Sequence, residues 1–341
     1  MTPREQVSLA DYTTLAVGGP ARFFFDAQDR AALTEALAWA RERKLPIEVL
    51  GGGSNVLIAD RGLDALVLRI RDATLNVEDE NVTVGAGMRW DDLVAWSVAE
   101  DRAGLECLSG IPGDVGAAPM QNVGAYGQEV SETITRVDVI ERATGNALSL
   151  LPDACAFGYR DSVFKRSAEG RYVVARVCFR LCSKGAPTVR YPELQRAVSP
   201  SPTLSEVRSA VLALRRRKSM VIDPNDDNRR SVGSFFLNPV VAEADADRMA
   251  SPRYPAAGGV KLSAAWLIEH AGLTKGTTRG PVGLSTRHSL AIINRGGATS
   301  TQLIAFAAEV RERVRDRFGV SLVPEPRFLG FEPHELRALF D

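Results

Sequence analysis

The nineteen residues from Ser109 to Gly127, SGIPGDVGAAPMQNVGAYG, constrain this chain more than any other stretch. They hold five glycines and one charge, Asp114, with Ile111, Val115, Met120, Val123 and Tyr126 between them. A flexible linker would be polar and repetitive. This composition describes a packed loop with little side-chain bulk, either lying against a flat or extended ligand or crossing the interior. A second loop, Gly51-Gly52-Gly53-Ser54-Asn55, follows a strand-like run at residues 47–50. Its glycines admit positive φ and close approach, so successive N–H groups can converge on an anion, with a hydroxyl and an amide as further donors. Taken alone it reads equally well as a tight turn between strands.

Neither loop carries Gly-x-Gly-x-x-Gly on a strand–helix–strand unit, which argues against a Rossmann site. Together they suit a dinucleotide laid out between two small α+β lobes. The surrounding pattern is mixed. Residues 22–25 and 65–69 read as strands, and residues 29–44 as a helix burying Leu33, Ala36, Leu37 and Ala40. Asp91 is placed as the N-cap of a helix carrying Leu93 and Trp96, with Gly104 at its C-cap. Residues 135–181 turn to strand, with a hairpin at Thr144-Gly145-Asn146. In residues 171–181, Val173, Ala175, Val177, Phe179 and Leu181 alternate with Arg176 and Arg180 as a half-buried strand. Residues 187–202 hold four prolines and read as a loop. Thr203 and Glu206 then form a capping box for a helix burying Leu204, Val207, Val211 and Leu214, and Thr299 and Gln302 form one for residues 299–318, which stop at Gly319. The pattern breaks near residues 67 and 220, giving three domains.

Lys plus Arg equals Asp plus Glu, at 42 each, so no global field draws the chain to nucleic acid or a membrane surface. The run Arg215-Arg216-Arg217-Lys218 is a local exception and reads as a solvated helix end, where cations oppose the dipole. The four cysteines form no Cys-x-x-Cys pair and the three histidines are scattered, so no metal site is expected. The first ten residues show no signal-peptide pattern and no apolar run is long enough to span a bilayer. The expected location is the cytoplasm.

Five ordered stretches then carry a resemblance: LGGGSNV from Leu50, SGIPGDVGAAPMQNVGAYGQE from Ser109, FGYRDSVFK from Phe157, GSFFLNP from Gly233 and PEPRFLG from Pro324. Over residues 12–330 the chain resembles the UDP-N-acetylenolpyruvoylglucosamine reductases, in their tyrosine-loop class. The resemblance implies an α+β, two-lobed FAD-binding portion of the vanillyl-alcohol-oxidase type plus a separate α+β substrate-binding domain. Residues 1–67 with 320–341 would be the first lobe, 68–219 the second, and 220–319 the substrate domain. It implies non-covalent FAD held by Gly51, Gly52, Gly53, Ser54, Asn55, Ser109, Gly110, Ile111, Pro112, Gly113, Gly116, Ala117, Gln121, Asn122, Gly124, Ala125 and Tyr126. It implies NADPH as the donor, a UDP-sugar enol ether as the substrate, and a monomer. Arg160, Ser234 and Glu325 match catalytic positions; Tyr159, Tyr191, Lys218, Asn238 and Lys275 match substrate contacts. Leu237 departs from the polar or basic residue common in GSFF-x-NP, and residues 219–230 are longer and more charged than in compact members.

The chemistry fits those residue types. Hydride arriving at the terminal carbon of an enol ether drives negative charge into the adjacent carboxylate, and a proton must follow. Arg160 presents a permanently cationic fork to a carboxylate, although a surface ion pair with Asp161 is the plainer reading of the same residue. Glu325 facing a carboxylate requires burial and a raised pKa; a pairing with Arg327 is the alternative. Ser234 as proton donor needs a charged neighbour and exclusion of water; otherwise it caps the turn after Gly233. Two other functions stand beside this one. A flavin oxidase of another alcohol or sugar shares the fold, but no histidine precedes His270 to tether the flavin. A non-catalytic nucleotide-binding protein would keep the loops without the chemistry.

Overall fold

The computed structural model describes all 341 residues, and the chain divides into two compact units. The first comprises Met1–Val7, Arg22–Gly52 and Asp64–Val221; the second comprises Ser8–Ala21, Gly53–Leu63 and Ile222–Asp341. Residues 1–67 are thus distributed over both. The amino-terminal elements are β1 (Arg4–Ser8), β2 (Pro20–Ala27), α1 (Arg30–Glu42), β3 (Ile47–Val49), β4 (Val56–Ile58), β5 (Leu63–Ile70), β6 (Leu75–Glu78), β7 (Asn81–Gly85) and α2 (Trp90–Ala99). There follow β8 (Ile134–Glu141), β9 (Ala147–Leu150), β10 (Tyr172–Arg180), α3 (Pro192–Gln195) and α4 (Leu204–Arg217). The carboxy-terminal part holds α5 (Ala264–His270), β11 (Val282–Leu284), β12 (Ile292–Asn294), α6 (Ser300–Phe318) and β13 (Arg327–Leu329).

The first unit is built on two sheets, ordered β1-β2-β5-β3 and β9-β8-β10-β7-β6. Helix α1 starts where Asp29 accepts the Ala32 N–H at 2.8 Å, and it buries the four expected residues, Leu33, Ala36, Leu37 and Ala40. The Thr144 turn joins β8 and β9 as an antiparallel hairpin. Strand β10 is more buried than its alternation suggests. It pairs with β8 on one side and β7 on the other, and Val174 and Cys178 are buried along with Val173, Val177 and Phe179. A central strand covered on both faces needs no polar face.

Four local expectations are corrected. Arg89, not Asp91, occupies the N-cap of α2, and it makes no side-chain cap. Asp91 sits in the first turn, where Oδ1 accepts the Gly110 N–H at 2.6 Å and both oxygens accept from Arg208 at 2.7 and 2.9 Å. A bidentate guanidinium outcompetes a cap hydrogen bond. Helix α2 ends at Glu100 and turns through Asp101 at φ +52°, ahead of Gly104. In α4 only half of the capping box forms. Thr203 accepts the Glu206 N–H at 3.2 Å, while the Glu206 carboxylate accepts from the Ser199 N–H and hydroxyl. The proline-rich segment before it contains α3 instead of being loop throughout.

The second unit packs around α6. Leu303, Phe306, Val310 and Val314 meet Leu57, Phe235, Leu267, Val282 and Ile292 in one core. Both halves of the Thr299–Gln302 box are present, and the helix ends at Gly319 with φ +68°. Strand β13 pairs in parallel with β4, Arg327 against Val56, which returns the carboxy-terminal segment to the strand that follows the first glycine loop.

Candidate functional site

The first glycine loop straddles the two units: Gly51 and Gly52 fold with the first, Gly53 to Asn55 with the second. Gly52 packs against Gly113 so closely that a Cβ would stand 2.8 Å from its Cα, and Gly53, at φ +61°, would place a Cβ on the Tyr12 carbonyl. No larger residue fits either position without moving the backbone. The N–H groups of Gly51, Gly52 and Gly53 make no hydrogen bond within the protein. Three successive donors left over beside a loop of small residues form a seat for an anion, as the diphosphate of a dinucleotide would require.

Around the second loop the contacts are dense. Asn122, 1 % exposed, donates to Glu129 Oε2 at 2.7 Å and to the Gly158 carbonyl at 3.0 Å, and accepts the Ser131 N–H at 3.1 Å. The buried Ser109 donates to the Glu106 carbonyl at 2.6 Å, and Gly116 donates its N–H to the Ala86 carbonyl. These residues act as struts. Gly124 accepts from Arg160 Nη2 at 2.5 Å, which aims the guanidinium along the loop. Asp161 pairs with Arg166 at 3.0 Å, so the plainer reading of Arg160 as its partner does not hold. Asn122, Tyr126 and Arg160 all hold positive φ, at +44°, +49° and +52°. Such backbone costs about 1–3 kcal/mol each and persists where the surroundings over-determine it, typically at functional sites.

Tyr126 and Tyr191 meet edge to face at 5.6 Å, and burial pushes the Tyr126 hydroxyl up to about 12. Tyr159 is half exposed, with the Arg160 guanidinium 5.5 Å from its ring centroid. Ile111, Pro112 and Ala125 are partly buried and Ala117 is exposed. Lys218 ends α4 and pairs with Glu193 at 2.7 Å.

In the second unit a short antiparallel ladder joins the segments that carry Ser234 and Glu325. The Glu325 N–H donates to the Phe235 carbonyl and the Leu237 N–H to the Val323 carbonyl, both at 2.9 Å, with Phe236 opposite Pro324. Glu325 therefore faces the residue next to Ser234. Asn55 joins them, accepting the Arg327 N–H at 3.0 Å and donating to the Glu325 carbonyl at 3.4 Å. Ser231, not Ser234, closes the turn at Gly233 by accepting its N–H at 3.2 Å. The Ser234 hydroxyl has no partner in the protein, and its neighbours Phe235 and Phe236 are buried. Glu325 is half-buried, less enclosed than its proposed chemistry suggests. Asn238 accepts the Ala264 N–H at 3.0 Å at the start of α5, and Lys275 lies 3.7 Å from Glu269.

Sequence reasoning missed two charged groups. Arg215 is no solvated helix end. Burial depresses its pKa, Tyr126 and Asp91 favour its charge, and Arg160 opposes it; Nη2 donates to the Met220 carbonyl at 2.6 Å while Nε makes no hydrogen bond. The signal was available, since Arg208 and Arg215 lie four residues beyond Leu204 and Val211 and so border the apolar stripe. Asp91 is the second. Burial raises its pKa, but the Arg208 hydrogen bond, the Gly110 N–H and nearby guanidiniums outweigh that and hold the carboxyl below its ordinary value.

An anion seat of backbone N–H groups, a packed glycine loop and an α+β frame define an FAD-dependent oxidoreductase. Residues 21–150 match the family model described as an FAD binding domain, and residues 223–329 match that of the UDP-N-acetylenolpyruvoylglucosamine reductase C-terminal domain. The UDP-N-acetylenolpyruvoylglucosamine reductase of Thermobifida fusca (strain YX) is 47 % identical over 350 residues, covering 95 % of this chain and 97 % of that one. Its counterpart in Mycobacterium sp. (strain MCS) is 46 % identical over 336 residues, covering 95 % of each chain. The crystal structure of the Thermus caldophilus UDP-N-acetylenolpyruvylglucosamine reductase superposes with a TM-score of 0.69 at 28 % identity, covering 96 % of this chain and all of that one. The chain belongs to the UDP-N-acetylenolpyruvoylglucosamine reductase family.

Proposed function

We propose that this enzyme uses NADPH and FAD to reduce the enolpyruvyl ether of UDP-N-acetylglucosamine to the lactyl ether of UDP-N-acetylmuramate, in peptidoglycan precursor synthesis. The observation that supports the reading is that Ser234, whose hydroxyl has no partner in the protein, and the half-buried Glu325 lie on two segments, 233–237 and 323–325, joined by main-chain hydrogen bonds. Bound FAD supplies hydride transfer. Arg160 holds the substrate carboxylate as charge builds there, and the nearby Arg215 adds a second positive charge in a poorly solvated place. Two like charges at close quarters favour an anion between them. Ser234 delivers the proton to the carbon, and Glu325 steadies the carboxyl end. Tyr159, Tyr191, Lys218, Asn238 and Lys275 bind the nucleotide sugar, with Tyr191 closing over it.

The flavin seat belongs to Gly51 through Asn55 and to Ser109 through Tyr126, and the substrate domain to the carboxy-terminal part of the chain. No helix of the chain is long and apolar enough to cross a membrane. A cytoplasmic monomer is part of the same reading. Anaerobic spectroscopy tests it: NADPH should bleach the flavin absorbance, and the enolpyruvyl sugar should restore it with formation of the lactyl ether. Bleaching without recovery would refute the substrate assignment.

A further inference from the structure

Asp114 is the one charge in the second glycine loop, and its surroundings do not explain it as a structural residue. Its backbone is pinned: the Trp90 N–H donates to the Gly113 carbonyl, Val115 to Met88 and Gly116 to Ala86, at 2.8–2.9 Å. The carboxylate itself makes no hydrogen bond or ion pair. Its Oδ2 lies 3.5 Å from where a Cβ on Gly51 would stand, at the start of the loop whose N–H groups are unused. A carboxylate therefore lies against the loop that carries those unused donors. This arrangement is unfavourable for an anion while the acid is ionised.

We infer that Asp114 is a proton-linked contact for the diphosphate of the cofactor: the chain takes up one proton at this carboxyl when FAD binds, and the neutral acid then donates to a phosphate oxygen in place of repelling it. The inference rests on the reading of the 51–55 loop as the diphosphate seat. The groups facing Asp114 are guanidiniums, those of Arg71, Arg69 and Arg89, and they favour the ionised form. Arg69 is itself occupied by Asp26 at 2.7 Å, which blunts its pull. Burial wins over the three and already lifts the carboxyl to about 6 in the chain without ligand. A bound dianion lifts it further. Neither the diphosphate nor the flavin ring exchanges a proton near neutrality, so the uptake belongs to the protein.

The sign follows. Below pH 6 the acid is already neutral and affinity does not depend on pH. Between about 6 and the higher pKa of the complex, the dissociation constant rises with pH, by up to about tenfold per unit for one proton. Titration calorimetry of FAD into the flavin-free full-length chain at pH 7, in buffers of different ionisation enthalpy, should give an uptake of about 0.5–1 proton. In Asp114→Asn the uptake should vanish and the dissociation constant should become flat from pH 6 to pH 8. Tight FAD binding by the native chain with no proton uptake would overturn the inference. So would an uptake that persists in a folded Asp114→Asn chain, or weaker binding of that variant at every pH, which would mark the carboxylate as an acceptor for a hydroxyl. Failure of FAD to bind the native chain would instead strike the reading of the loop. Should the variant not fold, the native calorimetry alone decides.

Discussion

Two regions of the molecule differ in what they offer a ligand: the glycine loops offer main chain, and the segments around Ser234 and Glu325 offer side chains. In the first, the proposed flavin seat is made of what is missing: side chains absent from Gly51 and Gly52, N–H groups left without acceptors, and residues such as Asn122 and Ser109 consumed in bracing the loop. In the second, Ser234 and Glu325 are the proposed reacting side chains, carried on two strand-like segments some ninety residues apart that main-chain hydrogen bonds join. A backbone seat tolerates little change at Gly52 and Gly53, where any Cβ meets the backbone of Gly113 or Tyr12. A side-chain site can lose its reacting atom and keep its frame.

The sharpest way to break that contrast is Ser234→Ala. Its hydroxyl holds no structural partner, so removing it should leave FAD retention and bleaching by NADPH within about twofold, while reduction of the sugar falls by roughly 10²–10⁴. Stopped-flow measurement of the two half-reactions separates them. Equal loss in both would make Ser234 part of the frame, and the contrast would fail. Gly53→Ala probes the other side. The added methyl meets the Tyr12 carbonyl at a positive φ, and the combined strain and overpacking of about 2–5 kcal/mol should weaken FAD binding by well over tenfold. Flavin retained through gel filtration is the readout, and full retention would show that the loop can move aside.

The same contrast explains what could be read from the sequence. Helix α1 was legible in its buried face and α6 in its caps as well, because local hydrogen bonding and a 3.6-residue apolar period determine them. The glycine loops were legible because glycine between apolar residues has few other reasons to exist. Asp91 was misplaced because its partners, Gly110 and Arg208, are 19 and 117 residues away, and no local rule weighs a cap against a distant guanidinium. Arg215 was taken for a solvated cation because its company in the run Arg215-Arg216-Arg217 masks the one position that borders the apolar stripe. The singling out of Ser234 and Glu325 came only through resemblance, since a two-stranded ladder between remote loops leaves no periodicity. The extra burial of β10 was hidden for a similar reason: a strand's second face is covered by elements whose placement the alternation does not record.

The smallest effect tests whether the flavin seat strains the chain that carries it. Asp114 has its carboxyl raised to about 6 by burial, above its ordinary value of 3.8. A group whose folded-state pKa is raised stabilises the fold fully below its unfolded pKa, and that contribution is lost as pH rises through the folded value. The flavin-free chain therefore carries an unfavourable ionised carboxylate above pH 6. Asp114→Asn removes the charge at constant shape. Thermal melting of the flavin-free proteins should show no difference near pH 4 and a gain of roughly 1–3 °C for the variant at pH 8, since the group is only half-buried and water screens part of the cost. A gain of the same size at both pH values would trace the effect to packing. A loss at pH 8 would mean that Arg69, Arg71 and Arg89 bind the carboxylate more strongly than burial opposes it, and the first unit would then hold its seat with a charge network as well as with bare backbone.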